Sequence, residues 1–184
     1  MENMKLLAIF NYEYIIAGFI VALLYSIYTM VIKPRMDKKN VINKLAVKVE
    51  ACGYKLYQEK GDNYDFALLS SGNSKYSKIL IKIITVPKVS TITVNSKNTW
   101  NLHYGGSNEP GKGFPNNRYL TNISSFLDMD IEDNELKLII VYKSTLKIQK
   151  YINESELEII KAEDLVYNYK ILTYEDIDEK FEKL

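Results

Sequence analysis

A run of nineteen residues, Tyr14 to Ile32 (YIIAGFIVALLYSIYTMVI), carries no charged side chain. As an α-helix it is long enough to cross the ~30 Å hydrocarbon core of a bilayer. Ten of the nineteen are Leu, Ile, Val or Phe. At about −0.3 to −0.6 kcal/mol each, their insertion gains roughly 3 to 6 kcal/mol before Gly18, Ser26 and Thr29 are set against it. Tyr12 and Tyr14 supply part of an aromatic belt. The flanks set a direction. Lys5 is the only basic side chain before the run, whereas Lys33, Arg35, Lys38, Lys39, Lys44 and Lys48 follow it. The positive-inside rule then predicts an extracytoplasmic residue 1–13 segment, a spanning helix over 14–32 and a cytoplasmic remainder in the cell membrane. A cleaved signal peptide fits worse, because Glu2 and Glu13 interrupt a basic leader and no A-x-A site precedes KPRMDKK.

Pro34 disfavours continued helix, so the span is expected to end there, with residues 33–39 as a basic linker and 40–184 as one domain. That domain is close to electrically neutral, in a chain with 24 Lys+Arg against 23 Asp+Glu. The balance excludes a strongly basic nucleic-acid arm and an acidic tail. One cysteine and one histidine exclude a Cys/His zinc site and a disulfide framework. A hydrophobic fraction of 47% is enough for a folded core.

Within 40–184, Val41, Ile42, Leu45, Ala46, Val49 and Cys52 recur at helical spacing, with Cys52 expected in the core and Gly53 as the closing residue. YKLYQEK, YDFALLS, KILIKIITV and VSTITVNS read as four strands of an antiparallel meander. RYLTNISSFLDM suits an amphipathic helix. LKLIIVY suits a strand covered on both faces. ELEIIK reads as a strand, AEDLVYNYKIL as a helix, and TYEDIDEKFEKL as a closing helix capped by Thr173. The predicted class is mixed α/β: a mixed sheet flanked by helices, preceded by one transmembrane helix.

Several patterns offer chemistry. Gly106 to Gly113 matches G-x-x-x-x-G-K, but Gly113 stands where a magnesium-binding Ser or Thr belongs and Pro115 delays the helix. Asp128 to Glu135 resembles a calcium loop, yet Asp133 takes the place of the turn glycine, so a solvated connector is expected. His103 lacks an acid neighbour in sequence, and Trp100 is expected to anchor the core.

From Asp65 onward the order of elements resembles the nuclease-related domain family of the restriction-endonuclease-like fold. The matching pieces are Asp65 in NYDFALLS, KILIKI, the strand to Trp100, FPNNRYLTN with Pro115, LKLIIVYK, ELEIIKAEDL and the closing LTYEDIDEKFEKL. The resemblance implies a metal-dependent nuclease centre: an Asp, then Glu-x-Lys on the next strand, two carboxylates holding a divalent ion that activates water. Asp65 is the candidate catalytic and metal-binding carboxylate and Lys82 the candidate catalytic lysine, but Leu80 takes the position of the glutamate. Lys112 and Arg118 are candidate nucleic-acid contacts. The expectation is therefore a membrane-anchored, catalytically depleted module that binds nucleic acid or protein and needs no cofactor. The alternatives are an active Mg²⁺-dependent nuclease using Asp65 and Lys82, with Glu59 or Glu109 as second carboxylate, and a structural partner of another membrane protein that associates through Ala17, Gly18 and Ala22.

Overall fold

The computed structural model describes residues 2–57, 63–72, 74–106, 113–143, 145–153 and 156–184, with side chains from residue 12 onward. The chain divides into two compact units, Met1–Lys39 and Asn40–Leu184.

The first unit is helical. Helix α1 spans Glu2–Ile27, a π-helical turn spans Tyr28–Ile32, and helix α2 runs on through Lys33–Ala51. Among the described residues one helix is long and apolar enough to cross a membrane, Tyr12–Ala51, with a stretch of mean hydropathy 2.3 that nothing buries. A signal sequence passes the same test of length and composition. The expected break at Pro34, and with it a non-helical 33–39 linker, does not occur. The wide turn accommodates the proline: Lys33 N–H donates to the Tyr28 carbonyl, an i→i+5 bond, which opens the helix where the Pro34 ring would otherwise press on the preceding turn. Thr29 Oγ1 adds support from its side chain, reaching the Tyr25 carbonyl at 3.0 Å.

The second unit is layered. Sheet A has the order β1-β2-β3-β7-β10, from β1 (Tyr54–Tyr57), β2 (Phe66–Ser70), β3 (Lys78–Thr85), β7 (Glu135–Tyr142) and β10 (Tyr169–Thr173). β1, β2 and β3 form the expected antiparallel meander, while β3, β7 and β10 are mutually parallel neighbours. Sheet B has the order β6-β5-β4-β8-β9, from β4 (Ser90–Val94), β5 (Trp100–Tyr104), β6 (Asn116–Tyr119), β8 (Lys147–Asn153) and β9 (Glu156–Ile159). VSTITVNS therefore leaves the meander and founds a second sheet. Parallel neighbours need long crossovers. Here the chain makes both, β3 to β7 and β7 to β10, by way of sheet B.

Two apolar cores follow from this layering. One face of sheet A, with Phe66, Leu68, Ile81 and Leu138, packs on Val41, Leu45 and Val49 of α2 and on Ile177 and Phe181 near the end. The three α2 residues recur every four positions and are fully buried, the stripe expected of an amphipathic helix. Gly53 ends α2 at φ +76°, the left-handed closure that glycine allows. The other face, with Leu80, Ile84, Ile139 and Val141, packs on Ile92, Val94, Trp100, Leu102 and Ile148 of sheet B. β7 lies between β3 and β10 and is buried along nearly its whole length.

Three expected helices shorten or vanish. RYLTNISSFLDM divides into β6, a 3₁₀ turn at Thr121–Ile123 and helix α3 at Ser124–Asp128. AEDLVYNYKIL contains no helix: Tyr167 turns at φ +57°, Val166 bridges Tyr169, and the chain enters β10. The closing helix is confined to α4 (Ile177–Lys180) and a 3₁₀ turn, because Thr173 Oγ1 bonds Asp176 Oδ2 at 2.8 Å and builds a turn before the helix begins.

Candidate functional site

Of the residues named for catalysis, Asp65 lies just before β2 and Lys82 on the neighbouring strand β3. Asp65 N–H donates to the Ile81 carbonyl at 2.8 Å, although Ile81 is the register partner of Phe66. The pairing is one residue out of step there, as at a β-bulge. The Asp65 carboxylate is engaged as well: its Oδ2 accepts the Ile83 backbone N–H at 2.7 Å. Lys82 sits half-buried on β3 between Ile81 and Ile83. Leu80, where a second carboxylate would stand, is 3% exposed and forms part of the core between the sheets. Among the described residues no group of three or more His, Cys, Asp and Glu side chains could hold a metal ion. Glu59, Glu109 and Lys112 lie outside the described residues.

Asp65 thus closes the β2–β3 ladder. Asp65→Ala is expected to lower unfolding free energy by about 1.5–3 kcal/mol, the worth of a hydrogen bond to a charged acceptor, and Asp65→Asn, which keeps an acceptor, by less. Urea denaturation checks this, and an unchanged midpoint in Asp65→Ala would contradict it.

Next to Leu80, β7 carries the most unusual side chain in the core. Lys137 pairs in register with Leu80 on one side and Tyr169 on the other and is fully buried. Its ammonium donates to the Leu127 and Met129 carbonyls at 2.7 and 2.8 Å. These are the carbonyls at the end of α3, where the helix leaves acceptors unsatisfied. Burial pushes the Lys137 pKa down, Lys97 adds to the effect, and Asp130 and Asp128 oppose it. The connector from Asp128 to Glu135 is used locally rather than as an ion cage: Asp128 accepts from the Asn98 amide, and Glu135 Oε2 from Glu132 N–H at 3.3 Å.

Cys52 is half-buried at the edge of the core beneath α2, beside a cavity of ≈ 290 Å³ that Tyr54, Ile79 and Phe181 also line. Burial, then the Glu182 carboxylate, raise its thiol pKa, with Lys48 opposing. Since the thiolate is the nucleophile, Cys52 should alkylate with iodoacetamide at pH 8 more slowly than free cysteine. A rate equal to free cysteine would contradict this environment.

The outer face of sheet B is polar. Strand side chains alternate between faces, so Ile92, Val94, Trp100, Leu102 and Ile148 in the core leave their neighbours pointing outward. The strand pairings align these neighbours into two rows across the sheet. One runs Tyr119, Asn101, Thr93, Gln149, Ile159, and the other Asn117, His103, Thr91, Lys147. None of these nine residues is acidic. The centre is largely shielded, with Thr91 3%, Thr93 6% and Gln149 8% exposed. Gln149 Nε2 donates to Thr93 Oγ1 at 2.9 Å, but Thr91 Oγ1 and Asn101 Oδ1 are buried without a partner. Unmet buried polar atoms are uncommon in folded proteins. The rim stays open at Tyr119, Lys147 and Ile159. Arg118 is not on this face: it lies opposite Leu102 on the other side of β6, its guanidinium 5.9 Å from the Tyr104 ring centre.

Sequence reasoning missed this face because β6 and β8 carry no clean apolar alternation to announce them. No family model matches the chain, and neither curated proteins nor solved structures yield a match.

Proposed function

We propose that this chain is a single-pass membrane protein whose domain from residue 40 onward, held in the cytoplasm, binds single-stranded nucleic acid on the outer face of sheet B without cutting it. The carrying observation is the pair of acid-free rows with Thr91 Oγ1 and Asn101 Oδ1 unmet at their centre. A polyanion meets no carboxylate in these rows. Lys147 and His103 can face its phosphates, the amides of Asn101 and Asn117 suit base edges, and exposed Tyr119 offers a ring for stacking.

Restraint from cutting is supported by two side chains. Asp65 spends its Oδ2 on the Ile83 N–H, and Leu80 puts a hydrocarbon where the second metal-binding carboxylate of a nuclease-related domain belongs. The order of α2, β1, β2, β3 and then β7 supports the resemblance in fold. Tyr12–Ala51 supports the anchor, and the basic residues after Ile32 support the direction.

A fluorescent single-stranded oligonucleotide, incubated with the full chain in detergent micelles and Mg²⁺ or Mn²⁺, tests this. It should be retained at full length, and His103→Glu, which puts a carboxylate into the row, should release it. Shortening of the oligonucleotide that disappears in Asp65→Ala would replace the binding module with a working nuclease. No retention at low salt would leave a protein partner as the ligand.

A further inference from the structure

A cleft of ≈ 460 Å³ opens between the segment leading into β8, the chain leaving β9 and the turn after β10. It borders Thr173, at the carboxyl end of β10, and β10 runs parallel to β7 and β3. Crevices beside the carboxyl ends of parallel strands are where α/β sheets commonly take ligands, and this volume suits a small molecule.

Its charges are arranged at a cost. β8 and β9 pair Gln149 with Ile159, and the ladder extends through Ile160 N–H to the Ile148 carbonyl at 2.9 Å. One further step sets Lys161 opposite Lys147, and both line the cleft. Like charges directly across a ladder repel and destabilise the pair. Among the described residues neither ammonium forms a salt bridge, whereas Lys180 in the same cleft is held by Asp176 at 2.9 Å. Asp176 is taken up further by Thr173 Oγ1 at 2.8 Å. Glu175 also borders the cleft. Hydrocarbon from Ile159 and Ile171 also lines the cleft.

We infer that the Lys147–Lys161 pair is an anion site that takes a phosphomonoester: a dianionic phosphate between the two ammonium groups, on a small apolar body resting against Ile159 and Ile171. A dianion relieves the repulsion that the ladder otherwise carries, which a single carboxylate would only halve. The Thr145 hydroxyl, also in the lining, can donate to the same group. The site shares Lys147 with the second row of sheet B and continues that row through Lys161, so a phosphomonoester and an oligonucleotide compete for Lys147.

Phenyl phosphate is the probe, titrated calorimetrically into the full chain in detergent micelles. Saturable binding is expected, at least ~10-fold tighter than inorganic phosphate and absent with benzyl alcohol. Lys147→Met and Lys161→Met should each weaken it ~10-fold or more, the loss of one charged hydrogen-bond donor. The same two variants, without ligand, should unfold no earlier than the parent, because each removes the repulsion. That second readout separates a site from a misfolded variant. His103→Glu should release oligonucleotide yet leave phenyl phosphate binding intact. Unchanged phenyl phosphate affinity in both methionine variants, or equal binding of benzyl alcohol, would each overturn the small-molecule site.

Discussion

Lys137→Ala is expected to destabilise the domain by about 3–5 kcal/mol. The fully buried ammonium bonds the Leu127 and Met129 carbonyls, and its removal orphans two acceptors at about 1–3 kcal/mol each, partly offset because a buried charge disappears with it. Alanine also forfeits the packing of the lysine stem, so Lys137→Met, which keeps that packing, should lose less, about 2–3 kcal/mol. Chemical denaturation measures both. A methionine variant as stable as the parent would mean that the carbonyls find water, and that Lys137 does not hold the end of α3.

The pH dependence of the same variant follows from linkage. Burial lowers the Lys137 pKa from its ordinary 10.5, so in the window just below 10.5 the unfolded chain binds more protons than the folded one. Parental stability therefore rises with pH through that window, and the charged form bears its full burial cost below it. The advantage of the parent over Lys137→Met should grow as pH rises toward 10.5. The comparison with the variant cancels Lys170, whose pKa burial also lowers.

Trp100→Ala is the second large effect, about 3–5 kcal/mol, because the indole is 1% exposed and fills the space between the two sheets. Trp100 contacts the Tyr169 ring at 5.5 Å between centroids, tilted by 48°, and its Nε1–H donates to the Tyr169 hydroxyl at 3.3 Å. Trp100→Phe keeps most of the ring but not the donor, so a loss of about 1–2 kcal/mol is expected. Tyr169 adds an alkaline signature. Burial drives its pKa well above the ordinary 10, while the Trp100 bond opposes this. The unfolded chain then loses the phenolic proton first, and stability falls as pH rises beyond 10. Tyr169→Phe should remove that part of the fall. Equal losses above pH 10 in parent and variant would contradict a buried phenol.

The elements most legible in the sequence were those whose burial has a simple period. Val41, Leu45 and Val49 mark α2 every four residues, and LKLIIVY marks a strand covered on both faces. Where burial is one-sided and the open side is polar, the signal fades. β8, KIQKYIN, alternates Ile148 in the core with Lys147 and Gln149 outside, a pattern too short and too charged to stand out. β6, NNRY, buries nothing and exists only because β5 offers it an edge. β10 was hidden for another reason. The apolar spacing of AEDLVYNYKIL imitates a helix, and the left-handed Tyr167 that breaks it has no signature in a tyrosine.

The site was legible in its parts and not in its assembly. Asp65 stood out as the first carboxylate of a nuclease pattern, but only the fold shows its oxygen against the Ile83 N–H. Lys137 is a charged interruption in an apolar run, a signal present in the sequence yet easily taken for a solvated residue. The acid-free rows of sheet B depend on register among five strands, which sequence patterning does not encode across long crossovers.

The salt dependence of oligonucleotide binding tests most directly whether that face meets a polyanion. For a single strand, the slope of log Kobs against log salt is about −0.7 per phosphate contacted. The parent chain should show a clear negative slope, and Lys147→Ala should reduce it by about 0.7, the share of one phosphate. A slope near zero, or one that Lys147→Ala and His103→Glu leave unchanged, would contradict the outer face of sheet B as the binding surface.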